Sequence, residues 1–146
     1  TLASGDTGRD IEEAQAMIAA RRHDTFKLKI GKRAMADDVA HVAAIKRALG
    51  DSASVRVDVN QAWDATSALR GAQMLADAGV DLIEQPLPRS DRRGMARLTR
   101  QSPVAIMASA VLTTLPVVPG YPWSQNGESR TACCARRNGS VTTCEL

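Results

Sequence analysis

Thr25-Phe26-Lys27-Leu28-Lys29-Ile30-Gly31 is the stretch on which the fold turns. Phe26, Leu28 and Ile30 alternate with Thr25, Lys27 and Lys29, the period of a strand with one buried face, and Gly31 ends it. Outward from it the pattern repeats. Before it, a helix is expected from about Asp10 to Arg22, capped by Thr7 with Asp10 three residues on, burying Ile11, Ala14 and Ile18. After it, Asp37 and Asp38 suit a helix N-terminus, Val39, Val42, Ala43 and Leu49 its buried stripe, and Gly50 its C-terminal cap. Ser54 to Val59 reads as the second strand, Asp64 to Ala78 as a helix closed by Gly79, and Asp81 to Gln85 as the third strand, stopped by Pro86. Asp91 to Arg100 reads as a shorter helix and Val104 to Ala108 as a fourth strand.

Strand starts near residues 25, 54, 81 and 104 lie 29, 27 and 23 residues apart, the length of a crossover unit in a parallel sheet. The expected class is therefore α/β: a partial TIM-type (β/α) barrel of about four units, or an open doubly wound sheet, followed by an irregular C-terminal tail. The division expected is 1–108 as the β/α domain and 109–146 as the tail. The tail gathers Tyr121, Trp123, three of the six prolines and all three cysteines without a sustained period, and it reads as frameshifted or otherwise non-native.

A chain of 146 residues is long enough for one domain, whereas a closed (β/α)₈ barrel takes roughly 250. With 44% hydrophobic and 24% charged residues, a folded core is expected. The apolar runs are too short to cross a bilayer and no charged-then-apolar leader opens the chain, which favours the cytoplasm. The net charge of +3 is dispersed, with small clusters at Arg21, Arg22 and at Arg89, Arg92, Arg93, so solvated helix faces are expected and neither a nucleic-acid nor a membrane partner. His23 and His41 sit in polar helical contexts and are expected at the surface. Cys133, Cys134 and Cys144 match no zinc or redox spacing.

The chemistry-bearing residues follow from strand parity. Lys27 and Lys29 share one face. In a barrel the apolar set packs on the helices and both lysines turn inward, where two ammonium groups within ~7 Å, partly desolvated, lower each other's pKa and make one a usable acid/base. The alternative is an exposed strand face. Val55, Val57 and Val59 repeat the pattern and place Arg56, Asp58 and Asn60 on the same face, with Asp58 near the strand's C-terminal end, which is the active-site mouth in TIM-type enzymes. Glu84 holds the same relative place on the next strand. Oxygen ligands from successive strand ends suit a hard divalent cation, Mn²⁺ or Mg²⁺. One more unit puts the next ligand position near Ser109, which cannot supply a carboxylate, so weak metal binding is expected.

Three segments resemble the muconate-lactonizing branch of the enolase superfamily, and the muconate cycloisomerases within it. They are Phe26-Lys27-Leu28-Lys29-Ile30-Gly31, the run from Ala48-Leu49-Gly50-Asp51 through Val55-Arg56-Val57-Asp58-Val59-Asn60-Gln61-Ala62-Trp63-Asp64, and Asp81-Leu82-Ile83-Glu84-Gln85-Pro86. The resemblance covers about Thr1 to Ala108. It implies a capping domain plus a modified TIM barrel, and conversion of cis,cis-muconate to muconolactone through a metal-stabilised enolate protonated by a lysine, in aromatic catabolism. It further implies that Lys29 is the acid/base, Lys27 its cationic neighbour, Asp58 and Glu84 the metal ligands and Asn60 a secondary polar contact. The partner implied is a small dicarboxylate, and the parent family is homo-oligomeric. Because a third carboxylate, an opposing lysine and the later strands have no counterpart, a poor or inactive catalyst is expected. A chloromuconate cycloisomerase, a dipeptide epimerase and a non-catalytic anion-binding β/α module remain alternatives. The last lacks a glycine-rich phosphate loop, since Gly31-Lys32-Arg33 fits neither phosphate fingerprint.

Overall fold

The computed structural model describes residues 1–108, 132–137 and 140–144. Helix α1 (Thr7–Ala19) precedes strand β1 (Thr25–Lys29), α2 (Met35–Leu49), β2 (Ser54–Asp58), α3 (Ala65–Asp77), β3 (Leu82–Glu84), α4 (Arg92–Gln101) and β4 (Ala105–Ala108), and two further strands are β5 (Ala132–Arg137) and β6 (Ser140–Cys144). A single 3₁₀ turn, Gly50–Ser52, joins α2 to β2. The strands form one sheet in sequential order, β1 to β4 parallel and β5 and β6 antiparallel. A sequential order has no switch point, and crossovers of one hand then put successive helices on the same side. That is the winding of a partial barrel, and it sets aside the doubly wound alternative.

Phe26 and Leu28, Val55 and Val57, Ile83 and Ile106 enter one buried cluster with Val42, Ile45, Ala68, Ala72, Leu75 and Leu98 from the helices. Alternation decides what the other face carries. Along β1 Phe26 and Leu28 are buried while Thr25 and Lys29 are exposed, and along β2 Val55 and Val57 are buried while Arg56 is exposed. Asp64 and Asp91 cap α3 and α4 by accepting from the backbone N–H groups of Thr66 and Ser67, and of Gly94.

Three expectations change. The cap of α1 is Asp6, which accepts from Arg9 N at 2.8 Å, and the helix ends at Ala19. Thr7 instead reaches across to His41 Nδ1 at 2.8 Å. His41 is buried, not at the surface, because Thr7 and Asp10 of α1 give its ring polar neighbours inside the α1–α2 contact. The expected irregular stretch contains β5 and β6. Asn138-Gly139 separates them in the sequence, a pair that favours two-residue hairpin turns. His23 and the arginines at 21, 22, 89, 92 and 93 are exposed, as expected. No helix among the described residues is long and apolar enough to cross a membrane.

Candidate functional site

The parallel register brings the chemistry-bearing residues into one row. Lys29 pairs with Asp58 across β1 and β2, Asp58 with Glu84 across β2 and β3, and Glu84 with Met107 across β3 and β4. Each step is about 4.8 Å between neighbouring strands. Lys29, Asp58 and Glu84 therefore end three successive strands side by side.

The loops leaving these strands hold the row in place. Ile30 N donates to Asp58 O, Val59 N to Glu84 O and Gln85 N to Met107 O, so the ladder runs one step past each strand end. Gln61 N donates to Gln85 O at 2.7 Å and Trp63 N to Pro86 O at 3.0 Å, tying the β2–α3 loop to the β3–α4 loop. Asn60, Gln61 and Gln85 all have positive φ, of 50°, 68° and 42°. Left-handed backbone at three non-glycine residues beside the row is a local cost that the surrounding bonds hold in place. Asn60 is a residue type that favours that conformation, whereas Gln61 and Gln85 give no sequence signal for it.

The side chains differ sharply in environment. Lys29 is exposed and makes no ion pair among the described residues. Asp58 is half-buried and its Oδ1 accepts from Asn60 N at 3.0 Å. Glu84 is buried, its side chain 9% exposed, and Lys27 Nζ donates to its Oε2 at 3.0 Å. The partly desolvated lysine pair expected from strand parity is thus not formed by the described residues. Lys29 stands open to solvent, and Lys27 is committed to a carboxylate.

In donor chemistry Asp58 and Glu84 fit a hard divalent cation: two carboxylates on neighbouring strands, one of them buried and requiring a counter-cation. They supply two ligands, and no group of three or more Asp, Glu, His or Cys that could hold a metal ion stands together among the described residues. The next ligand position, near Ser109, lies outside the described residues. Clefts of about 330 Å³, between the C-terminal ends of α2 and α3, and about 250 Å³, between α3 and α4, lie away from the row.

Lys, Asp and Glu thus stand on successive strand ends of a singly wound β/α sheet, the ends at which barrel enzymes carry their active sites. The chain belongs to the enolase C-terminal domain-like family, whose model matches residues 9–118. It is 63% identical over 108 residues to muconate cycloisomerase 1 of Pseudomonas putida, covering 74% of this chain and 29% of that protein. Against a chloromuconate cycloisomerase of Cupriavidus necator it is 53% identical over 115 residues, covering 79% of this chain and 31% of the relative. The crystal structure of muconate cycloisomerase from Pseudomonas fluorescens superposes with a TM-score of 0.72 at 63% identity, over 73% of this chain and 30% of that one. The chain thus spans about 30% of the length of the relatives it matches, which are cycloisomerases.

Proposed function

We propose that residues 1–108 are β/α units of a muconate cycloisomerase, an intramolecular lyase closing cis,cis-muconate to muconolactone in the cytoplasm, and that residues 109–146 are a non-native tail. The observation that carries this reading is the row Lys29, Asp58, Glu84 on three successive strand ends. Identity of 63% and 57% to two muconate enzymes, against 53% and 50% to two chloromuconate enzymes, favours the unsubstituted substrate.

Lys29, exposed and without an ion pair among the described residues, is placed to hold a proton at Nζ and deliver it to a carbon beside a substrate carboxylate. Lys27 supplies a second positive charge on the same face, and Asn60 a polar contact at its rim. Asp58 and Glu84 would hold Mn²⁺ or Mg²⁺, and the bound ion supplies charge stabilisation to the anion that develops on the substrate. Two carboxylates make a weak site, so the chain by itself turns over muconate slowly or not at all. Homo-oligomerisation belongs to the whole enzyme in this reading.

Calorimetric titration of the 146-residue chain with Mn²⁺, alongside Asp58→Ala, and an ultraviolet assay for loss of cis,cis-muconate, test it together. Saturable binding that disappears in Asp58→Ala supports the half site. Binding indifferent to Asp58 in a folded sample removes its basis.

A further inference from the structure

We propose that Lys27 is an internal competitor for the cation position: its ammonium holds Glu84 Oε2, and its charge opposes a divalent ion taking that carboxylate. This rests on the reading of Asp58 and Glu84 as metal donors.

The register makes the contact unexpected. Lys27 lies opposite Arg56 and Leu82, two residues short of the row that contains Glu84. Its side chain must cross β2 and advance along the sheet, a Cα-to-Cα span of roughly 12 Å given strand spacings near 4.8 Å and a rise near 3.3 Å per residue. Lys29 already stands in that row, one strand from Asp58, yet Lys27 is the lysine that reaches Glu84 Oε2 at 3.0 Å. A buried carboxylate is costly without a partner, which explains why the longer reach is made.

The same path carries the Lys27 ammonium over the strand that bears Asp58, onto the face where an ion joining Asp58 and Glu84 would stand. An ammonium held on Oε2 at 3.0 Å places a positive charge beside any cation taken by the same carboxylate, and the two repel. Lys27 is well suited to yield. Its side chain is 37% exposed, against 9% for Glu84, and lysine is a point charge on a flexible stem with no fixed fork to satisfy. Cation loading then releases Lys27 from Glu84 along the face that both share with Lys29. In this way one event fills the carboxylates and assembles the lysine pair.

The test is Mn²⁺ alone, titrated by calorimetry and by the electron paramagnetic resonance of free Mn²⁺, into the 146-residue chain and the variants Lys27→Gln, Lys27→Arg, Lys29→Gln and Asp58→Ala. Each is checked for folding by circular dichroism. Lys27→Gln should bind about three- to fivefold more tightly than the parent, the range of a partly exposed ion pair. Lys29→Gln, which removes the same charge from the same strand without touching Glu84, should stay within about twofold. Lys27→Arg, which retains a donor for Glu84 and can engage both oxygens, should bind no more tightly than the parent, and this arm stands even if the glutamine variant fails to fold. Equal tightening by Lys29→Gln, tightening by Lys27→Arg, or no change in a folded Lys27→Gln overturns the competition. Asp58-dependent binding with Lys27→Gln at the parental level sinks the competition alone. Binding indifferent to Asp58, or none in any variant, removes the metal-donor reading with it.

Discussion

Gly31 meets Val59 at a distance that leaves room for hydrogen alone: a Cβ at residue 31 would lie 2.6 Å from the Val59 carbonyl oxygen and 2.6 Å from the Ala62 Cβ. Two residues before Gly31 is Lys29, and one before Val59 is Asp58. The close approach therefore fixes where the first two members of the row leave the sheet. Gly31 N is held as well, donating to the buried Asp38 carboxylate at 2.6 Å.

Gly31→Ala is expected to cost roughly 2 to 4 kcal/mol, combining the left-handed φ of 98° with overpacking against a backbone carbonyl. Gly50→Ala is the control, since its φ is 63° but nothing lies within 4 Å of the added carbon. With its ψ at −153°, a combination almost confined to glycine, it should cost about 1 to 3 kcal/mol from backbone strain alone. Urea denaturation of the two variants measures the difference, and equal losses would show that the β1–α2 loop can move aside.

A second glycine tests the loop after β2. A Cβ at Gly71 would meet the Trp63 ring at 2.6 Å, and Trp63 is buried, following the Asn60–Gln61 turn. Gly71→Ala should displace the indole, with a red shift in Trp63 fluorescence and a loss of about 1 to 3 kcal/mol. A Trp123→Phe background isolates the signal. An unshifted spectrum would mean that α3 yields and the indole stays.

Stability should also fall with acid through His41. Burial holds its pKa below the ordinary 6.5, and Arg33 adds to this, against opposing pulls from Asp10, Asp38 and Asp6. Asp10 lies 3.5 Å away on α1, with Thr7 on the other ring nitrogen and Asp38 on α2 itself. A lowered folded pKa means that the unfolded chain binds the proton first. The contribution of neutral His41 is therefore complete above about 6.5 and is lost as pH falls from there through the folded value. Chemical denaturation at pH 7.5 and pH 5 should show a smaller loss in His41→Gln than in the parent; an unchanged loss would assign the acid sensitivity to other groups.

The parts legible in the sequence were those with local causes. Alternation around Phe26–Leu28 and Val55–Val57 located the strands and the face that packs on the helices, and Asp64, Asp91 and Gly50 marked helix ends through bonds or backbone angles made within a few residues. The row of Lys29, Asp58 and Glu84 followed from strand parity plus parallel pairing. Long-range partners were not legible. His41 looked like a surface residue because Thr7, 34 positions away, supplies its bond, and Lys27 was expected beside Lys29 because Glu84, its partner, is 57 positions away. At α1 two good capping residues stand together, and the choice of Asp6 leaves Thr7 for His41 and Asp10 for Ser4. Asn138-Gly139 was a local turn signal passed over within a stretch of mixed texture.

The most direct measurement grafts residues 1–108 in place of the matching segment of the 63%-identical muconate cycloisomerase and follows loss of cis,cis-muconate, with and without Lys29→Ala. The account predicts turnover in the chimera and a fall of about 10² to 10⁴ in the lysine variant, the range for removing a general acid. A folded, metal-binding chimera that leaves muconate untouched, or one whose rate ignores Lys29, would contradict it.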